Sequence, residues 1–176
     1  MNLYLLRHGI AVAADEPGVE SDGDRPLTAK GVKRMRRAAK GLRRLNVPFD
    51  ALLTSPLIRA RQTADIVAET LGLETHLEEV SGLTPESSVE QLSFGLTRFQ
   101  NRAHLLLVGH EPLLSETASF FIAGKKGSKI DLALKKGGLC RIEIDAIPPS
   151  KPGRLHWMLT PKQLRLLGER TGKMAV

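Results

Sequence analysis

The chain has 176 residues, 41% of them hydrophobic, a single cysteine and a formal net charge of +7. That length suits one domain over 1–176 with a sizeable core, and apolar residues spread along the chain argue against wholesale disorder. Cys140 alone makes neither an internal disulfide nor a metal cluster, no apolar stretch approaches the ~20 residues that span a bilayer, and Arg7 and His8 do not suit a signal peptide, so the expectation is a cytoplasmic protein without a membrane partner.

The first predicted element is a strand near 2–7, an apolar run that carries Arg7-His8-Gly9 to its carboxyl end. The stretch Ala13 to Pro26 is acidic and turn-rich and reads as a loop over that end. Thr28 suits the N-cap of a helix of about 16 residues whose buried stripe is Val32, Met35, Ala38, Ala39, Leu42 and Leu45. Its other faces hold eight cations between Lys30 and Arg44 and no acid. Such a segment reads first as a solvated helix face, and beyond that as a field that steers an acidic partner. Aromatic residues are only 4% of the chain, which argues against the stacking platforms used to bind nucleic acid.

A strand near 51–54 follows, and Ser55-Pro56 is expected to open the next helix. Arg59 falls in its opening turns; Ala60, Ala64, Val67 and Leu71 face the core, and Gly72 ends it. Further strands are predicted near 76–80, 104–109, 139–144 and 154–159. Helices are expected from about Ser87 to Asn101, from Pro112 to about Ile122 and from Pro161. The lysine- and glycine-rich connection from Ala123 to Gly138 holds Ile130-Asp131-Leu132-Ala133-Leu134, a candidate short element of its own. Strands alternating with amphipathic helices predict a single three-layer α/β/α sandwich with a mostly parallel central sheet.

In such a sheet the ends of the strands at 2–7, 51–54 and 104–109 meet along one edge, where open α/β folds bind ligands. They deliver Arg7, His8, Arg59, His110 and Glu111. A neutral histidine is a good nucleophile, and phosphoryl transfer needs positioned positive charge on the phosphoryl oxygens. Arg7 and Arg59 offer forked N–H donors, the helix at Arg59 adds its positive end, and His110 can donate a further hydrogen bond. Gly9 is expected to let backbone pass close to the ligand.

Arg7-His8-Gly9, then Ser55-Pro56-x-x-Arg59-Ala60-x-Gln62-Thr63-Ala64, then Gly109-His110 resemble the motifs of the histidine phosphatase superfamily, the phosphoglycerate mutase-like fold. Arg25-Pro26-Leu27-Thr28 and Leu155-x-Trp157-x-Leu159-x-Pro161 resemble its compact bacterial phosphohistidine phosphatase branch. The resemblance implies that His8 is the nucleophile and forms a phosphohistidine, and that Arg7, Arg59 and His110 bind the phosphoryl group. Arg25 becomes either a further substrate ligand or a loop anchor. It implies no metal and no cofactor.

The general acid stays open. Glu86 and Glu111 are the candidates, and each also reads as a solvated or capping carboxylate. A substrate whose leaving group departs easily needs such an acid least, which favours phosphohistidine in a protein over a phosphoester. The alternatives are a phosphatase for a small phosphorylated substrate and a non-catalytic phosphate-binding module.

Overall fold

The computed structural model describes residues 1–124 and 130–169. Six strands form one sheet: β1 (Asn2–Arg7), β2 (Ala51–Thr54), β3 (Leu77–Glu79), β4 (His104–Gly109), β5 (Leu139–Glu143) and β6 (Arg154–Leu159). Their order is β3-β2-β4-β1-β5-β6. The first four are mutually parallel, β5 is antiparallel to both neighbours, and β6 therefore runs with β1 again. In the central β4, Leu105, Leu106, Leu107 and Val108 are all 0% exposed, because helices cover both faces. Burying each such leucine stabilises the fold by roughly 2–3 kcal/mol.

On one face lie α1 (Ala29–Arg44), α2 (Ile58–Leu71) and α5 (Pro161–Glu169); their buried residues pack with Tyr4, Leu6, Leu52 and Leu106. On the other lie α3 (Val89–Leu96) and α4 (Leu113–Ala123), packed on Leu3, Leu5, Leu53 and Leu107. Alternate residues of β1 thus serve opposite cores, as the pleat dictates. The architecture is the expected α/β/α sandwich.

Thr28 caps α1 as anticipated, its hydroxyl accepting from the Gly31 amide at 2.9 Å. Met35, Ala38, Ala39 and Leu42 are buried, while Val32 and Leu45 are only partly so. Instead of Val32 and Leu45, the buried set gains Gly31 and Gly41. A Cβ on Gly41 would lie 1.9 Å from the Leu164 carbonyl oxygen, so this glycine lets α1 and α5 touch.

Two helix boundaries and one connection differ from expectation. The second helix starts at Ile58 rather than at Ser55-Pro56, because Ser55 is still bound to the sheet: its amide donates to the Val108 carbonyl. Gly72 does end it, at φ 71°. α3 stops at Leu96 instead of running to 101, and a 3-10 turn at Thr97–Phe99 replaces its last portion. Residues 130–134 form no element of their own, although Leu134 is buried; the rest of that predicted connection partly lies outside the described residues. No helix among the described residues is long and apolar enough to cross a membrane.

Candidate active site

Sheet register assembles the site. Arg7 of β1 stands opposite Gly109 of β4, and Thr54 of β2 stands opposite Val108. The chain therefore leaves the sheet at His8, Ser55 and His110 side by side. The His8 amide donates to the Gly109 carbonyl (3.1 Å), extending the ladder by one rung. His8 and His110 rings lie with centroids 4.9 Å apart.

Both rings are buried, 6% and 2% exposed. Burial, then the neighbouring His110 and the Arg59 and Arg7 guanidiniums, pushes His8 down to about 3, against the pull of the Gly9 carbonyl. Burial, Arg59 and Arg7 likewise bring His110 to about 3, opposed by Asp22. Both imidazoles are therefore neutral at pH 7.

The tautomer of His8 follows from its partner. Nδ1 lies 2.7 Å from the Gly9 carbonyl oxygen, which can only accept, so Nδ1 carries the hydrogen. Nε2 is left with a free lone pair. On His110, Nε2 lies 2.9 Å from the Ser55 hydroxyl, and Nδ1 is buried without a partner. Ser55 Oγ accepts from the Leu57 amide and still carries its own hydrogen, and we assign that hydrogen to His110 Nε2, the tautomer that leaves Nδ1 protonated. Nδ1–H is then an unused donor inside the site.

Arg59, 4% exposed in the first turn of α2, donates to the carbonyl oxygen of Asp22 and to its carboxylate Oδ2 (2.7 Å). Thr63, one turn later, donates to the Arg59 carbonyl (2.7 Å) and accepts from the Gly9 amide (3.0 Å). That hydroxyl locks the backbone beside His8 to the turn that carries Arg59. Arg7 donates to the Leu134 carbonyl (2.8 Å), and its Nε is buried and unpartnered. An orphaned Arg7 Nε and an orphaned His110 Nδ1 are expensive in a dry interior, and an oxyanion is the ligand that satisfies such donors.

The structure thus brings together Arg7, His8, Arg59 and His110. Arg25 sits at the rim: it donates to the Val12 carbonyl (2.9 Å) and to Asp22 Oδ1 (2.6 Å), so its observed contacts are those of a loop anchor. Glu111 has both oxygens occupied, accepting from the Leu134 amide (3.1 Å) and from the Ser115 hydroxyl. Glu86 is exposed in a turn and joins none of the site's hydrogen bonds among the described residues. The missing side chain of Gly9 makes room for α1. A Cβ there would lie 2.6 Å from Met35 Cγ and 3.1 Å from Leu27 Cδ2.

Asp22 had no assigned role in the sequence. It bridges Arg25 and Arg59 from the 3-10 turn Asp22–Asp24, and hydrogen bonds from Arg25 and then Arg59 hold its carboxyl below the usual range. The three-residue spacing of Asp22 and Arg25 was the available signal. This turn places the predicted loop against the site.

A sheet-edge pair of neutral histidines among guanidiniums defines a phosphoryl-handling enzyme, and comparison with known proteins agrees. The profile of the histidine phosphatase superfamily (branch 1) matches residues 3–83. An uncharacterized protein of Picosynechococcus is 40% identical, aligned over 93% of this chain and 99% of its own length. Phosphohistidine phosphatase SixA of Escherichia coli K12 is 29% identical over 94% of this chain and 98% of its own. A solved structure of the protein histidine phosphatase SixA complexed with tungstate superposes with TM-score 0.78 at 28% identity, covering 93% of this chain and 99% of that one. The chain belongs to the histidine phosphatase superfamily, in its compact bacterial branch, and is a phosphatase.

Proposed function

We propose that the chain hydrolyses the P–N bond of phosphohistidine in a protein, through a covalent phosphohistidine on His8. Nε2 of His8 attacks phosphorus while Arg7, Arg59 and the Nδ1–H of His110 hold the phosphoryl oxygens. The substrate's second ring nitrogen takes a proton from water, so the P–N bond breaks to release neutral imidazole. Water then attacks phosphorus, the His8 Nε2–P bond breaks, and phosphate leaves. Throughout, the Gly9 carbonyl keeps the hydrogen on Nδ1, so the phosphorylated ring also departs as a neutral imidazole.

The observation that carries this reading is the free Nε2 lone pair of a neutral, buried His8 beside His110 and two guanidiniums. Choice of a P–N substrate is supported by the two candidate acids: Glu111 is engaged and Glu86 stands in an exposed turn, so neither is poised to protonate an alkoxide leaving group. Likeness to a relative named phosphohistidine phosphatase points the same way.

Incubation with a phosphohistidine protein carrying labelled phosphate, followed by rapid quench, tests it. Wild type is expected to hold an acid-labile, base-stable label that His8→Ala lacks. Label on His8→Ala at the wild-type level rejects His8 as the nucleophile.

A further inference from the structure

A groove of about 320 Å³ lies between α1, the start of α5 and the segment 135–137. Five cations line it: Arg34 from α1, Lys135 and Lys136 from the segment, Lys162 and Arg165 from α5. No aspartate or glutamate is in its lining, and none of the five joins an ion pair among the described residues. Outside the groove Arg25, Arg37, Arg61 and Arg98 each meet a carboxylate. The exposed Arg43, Arg44 and Arg102 join no ion pair among the described residues, so enclosure together with lack of pairing sets the groove apart.

Concentrating like charge in a concave site opposes folding unless an anion arrives. Arg165 shows the tension: burial first, then the Arg34 and Arg37 charges, lower its affinity for its proton. A solvated face has no such enclosure. The bland reading does hold for Arg36 and Lys40, which are exposed on α1 outside the groove.

The groove also adjoins the site. It reaches the chain at Gly9 and Ile10, directly after His8. Its wall at Gly137 is fixed to the same strand end, the Gly137 amide donating to the carbonyls of Arg7 (3.0 Å) and His8 (3.1 Å).

Resting on the phosphohistidine reading above, we propose that this groove docks acidic side chains flanking the phosphohistidine of the protein substrate. Its build favours carboxylates over a second phosphate. The phosphoryl site uses a guanidinium that is 4% exposed and donors left unsatisfied, converging on one point. In the groove the three lysines are exposed, and the cations come from three separate elements, which suits several carboxylates spread along a partner surface.

Two measurements decide it. In the first, a fluorescein-labelled oligoglutamate peptide is titrated into the full chain at low salt. Arg34→Gln with Arg165→Gln is expected to weaken binding at least about tenfold, while Arg36→Gln with Lys40→Gln changes it less than about twofold. Equal losses in the two pairs, or none in either, overturn the proposal in favour of a diffuse field. Tripolyphosphate binding in the groove without oligoglutamate binding overturns the carboxylate occupant. In the second, kcat/KM of the groove variant is expected to fall about tenfold on a phosphohistidine protein and to hold on free phosphohistidine. Equal losses on both substrates overturn docking. A wild type that binds the peptide in the groove but releases no phosphate from any phosphohistidine protein defeats the functional reading and leaves the groove as an acidic-segment site.

Discussion

Lowering the pH from 7 to 5 should destabilise the native protein by roughly 4 kcal/mol through His8 and His110 alone. Both rings fall from a reference of 6.5 to about 3 on folding, so between those values the unfolded chain binds protons that the native chain refuses. Stability that is present above pH 6.5 is therefore lost as the pH falls toward 3. At pH 5 an unfolded imidazole is about 97% protonated, which favours the unfolded state by roughly 2 kcal/mol per ring relative to pH 7. The size of this loss barely depends on how far below 5 the native values lie, because it is set by the unfolded reference. Exposures of 6% and 2% leave little water to screen the rings, and they charge in each other's company. Urea unfolding at the two pH values, in buffer free of phosphate, reads the effect. With a slope near 2 kcal/mol/M, the midpoint should drop by roughly 2 M. Saturating vanadate should recover part of it, since a bound oxyanion stabilises both imidazoliums. An unchanged midpoint, or a His8→Gln/His110→Gln variant with the same pH dependence as wild type, would refute the argument.

Arg59→Ala removes the buried fork and frees Asp22, so kcat/KM on a phosphohistidine protein should fall roughly 10²–10³-fold. Arg59→Lys should recover only part of that, because an ammonium cannot span two phosphoryl oxygens; equal activity in Arg59→Lys and wild type contradicts the bidentate role. For Glu86→Gln, rates on a phosphoramidate and on a phosphoester should both stay within about twofold. Glu111→Gln weakens its bond to the Leu134 amide and should cost about 1 kcal/mol in urea unfolding while changing both substrates alike. A large loss on the ester alone in either variant would identify a general acid and favour a phosphoester substrate.

Much of this site was legible in the chain because its parts are local. Arg7 and His8 end an apolar run and Arg59 opens an amphipathic helix, while His110 follows a stretch too apolar to be anything but a central strand. Each is placed by the strand or helix that carries it, and parallel strands bring their carboxyl ends to one edge without help from a distant contact. Thr28 was equally readable, since a cap is satisfied within its own first turn. Ser55 was not: as a serine before proline it reads as a cap, yet its hydroxyl serves an imidazole 55 residues away. The packing role of Gly9 was hidden for the same reason, as a Cβ there would meet Met35 on α1 rather than anything near it in sequence. Asp22 gains a role only when the loop carrying it folds onto Arg59, and the groove cations become one site only when α1, α5 and residues 135–137 meet. Spacing along the chain reports hydrogen bonds and periodicity within one element. Which buried donors go unpaired, and which like charges are forced together, is settled by the packing of elements far apart in sequence.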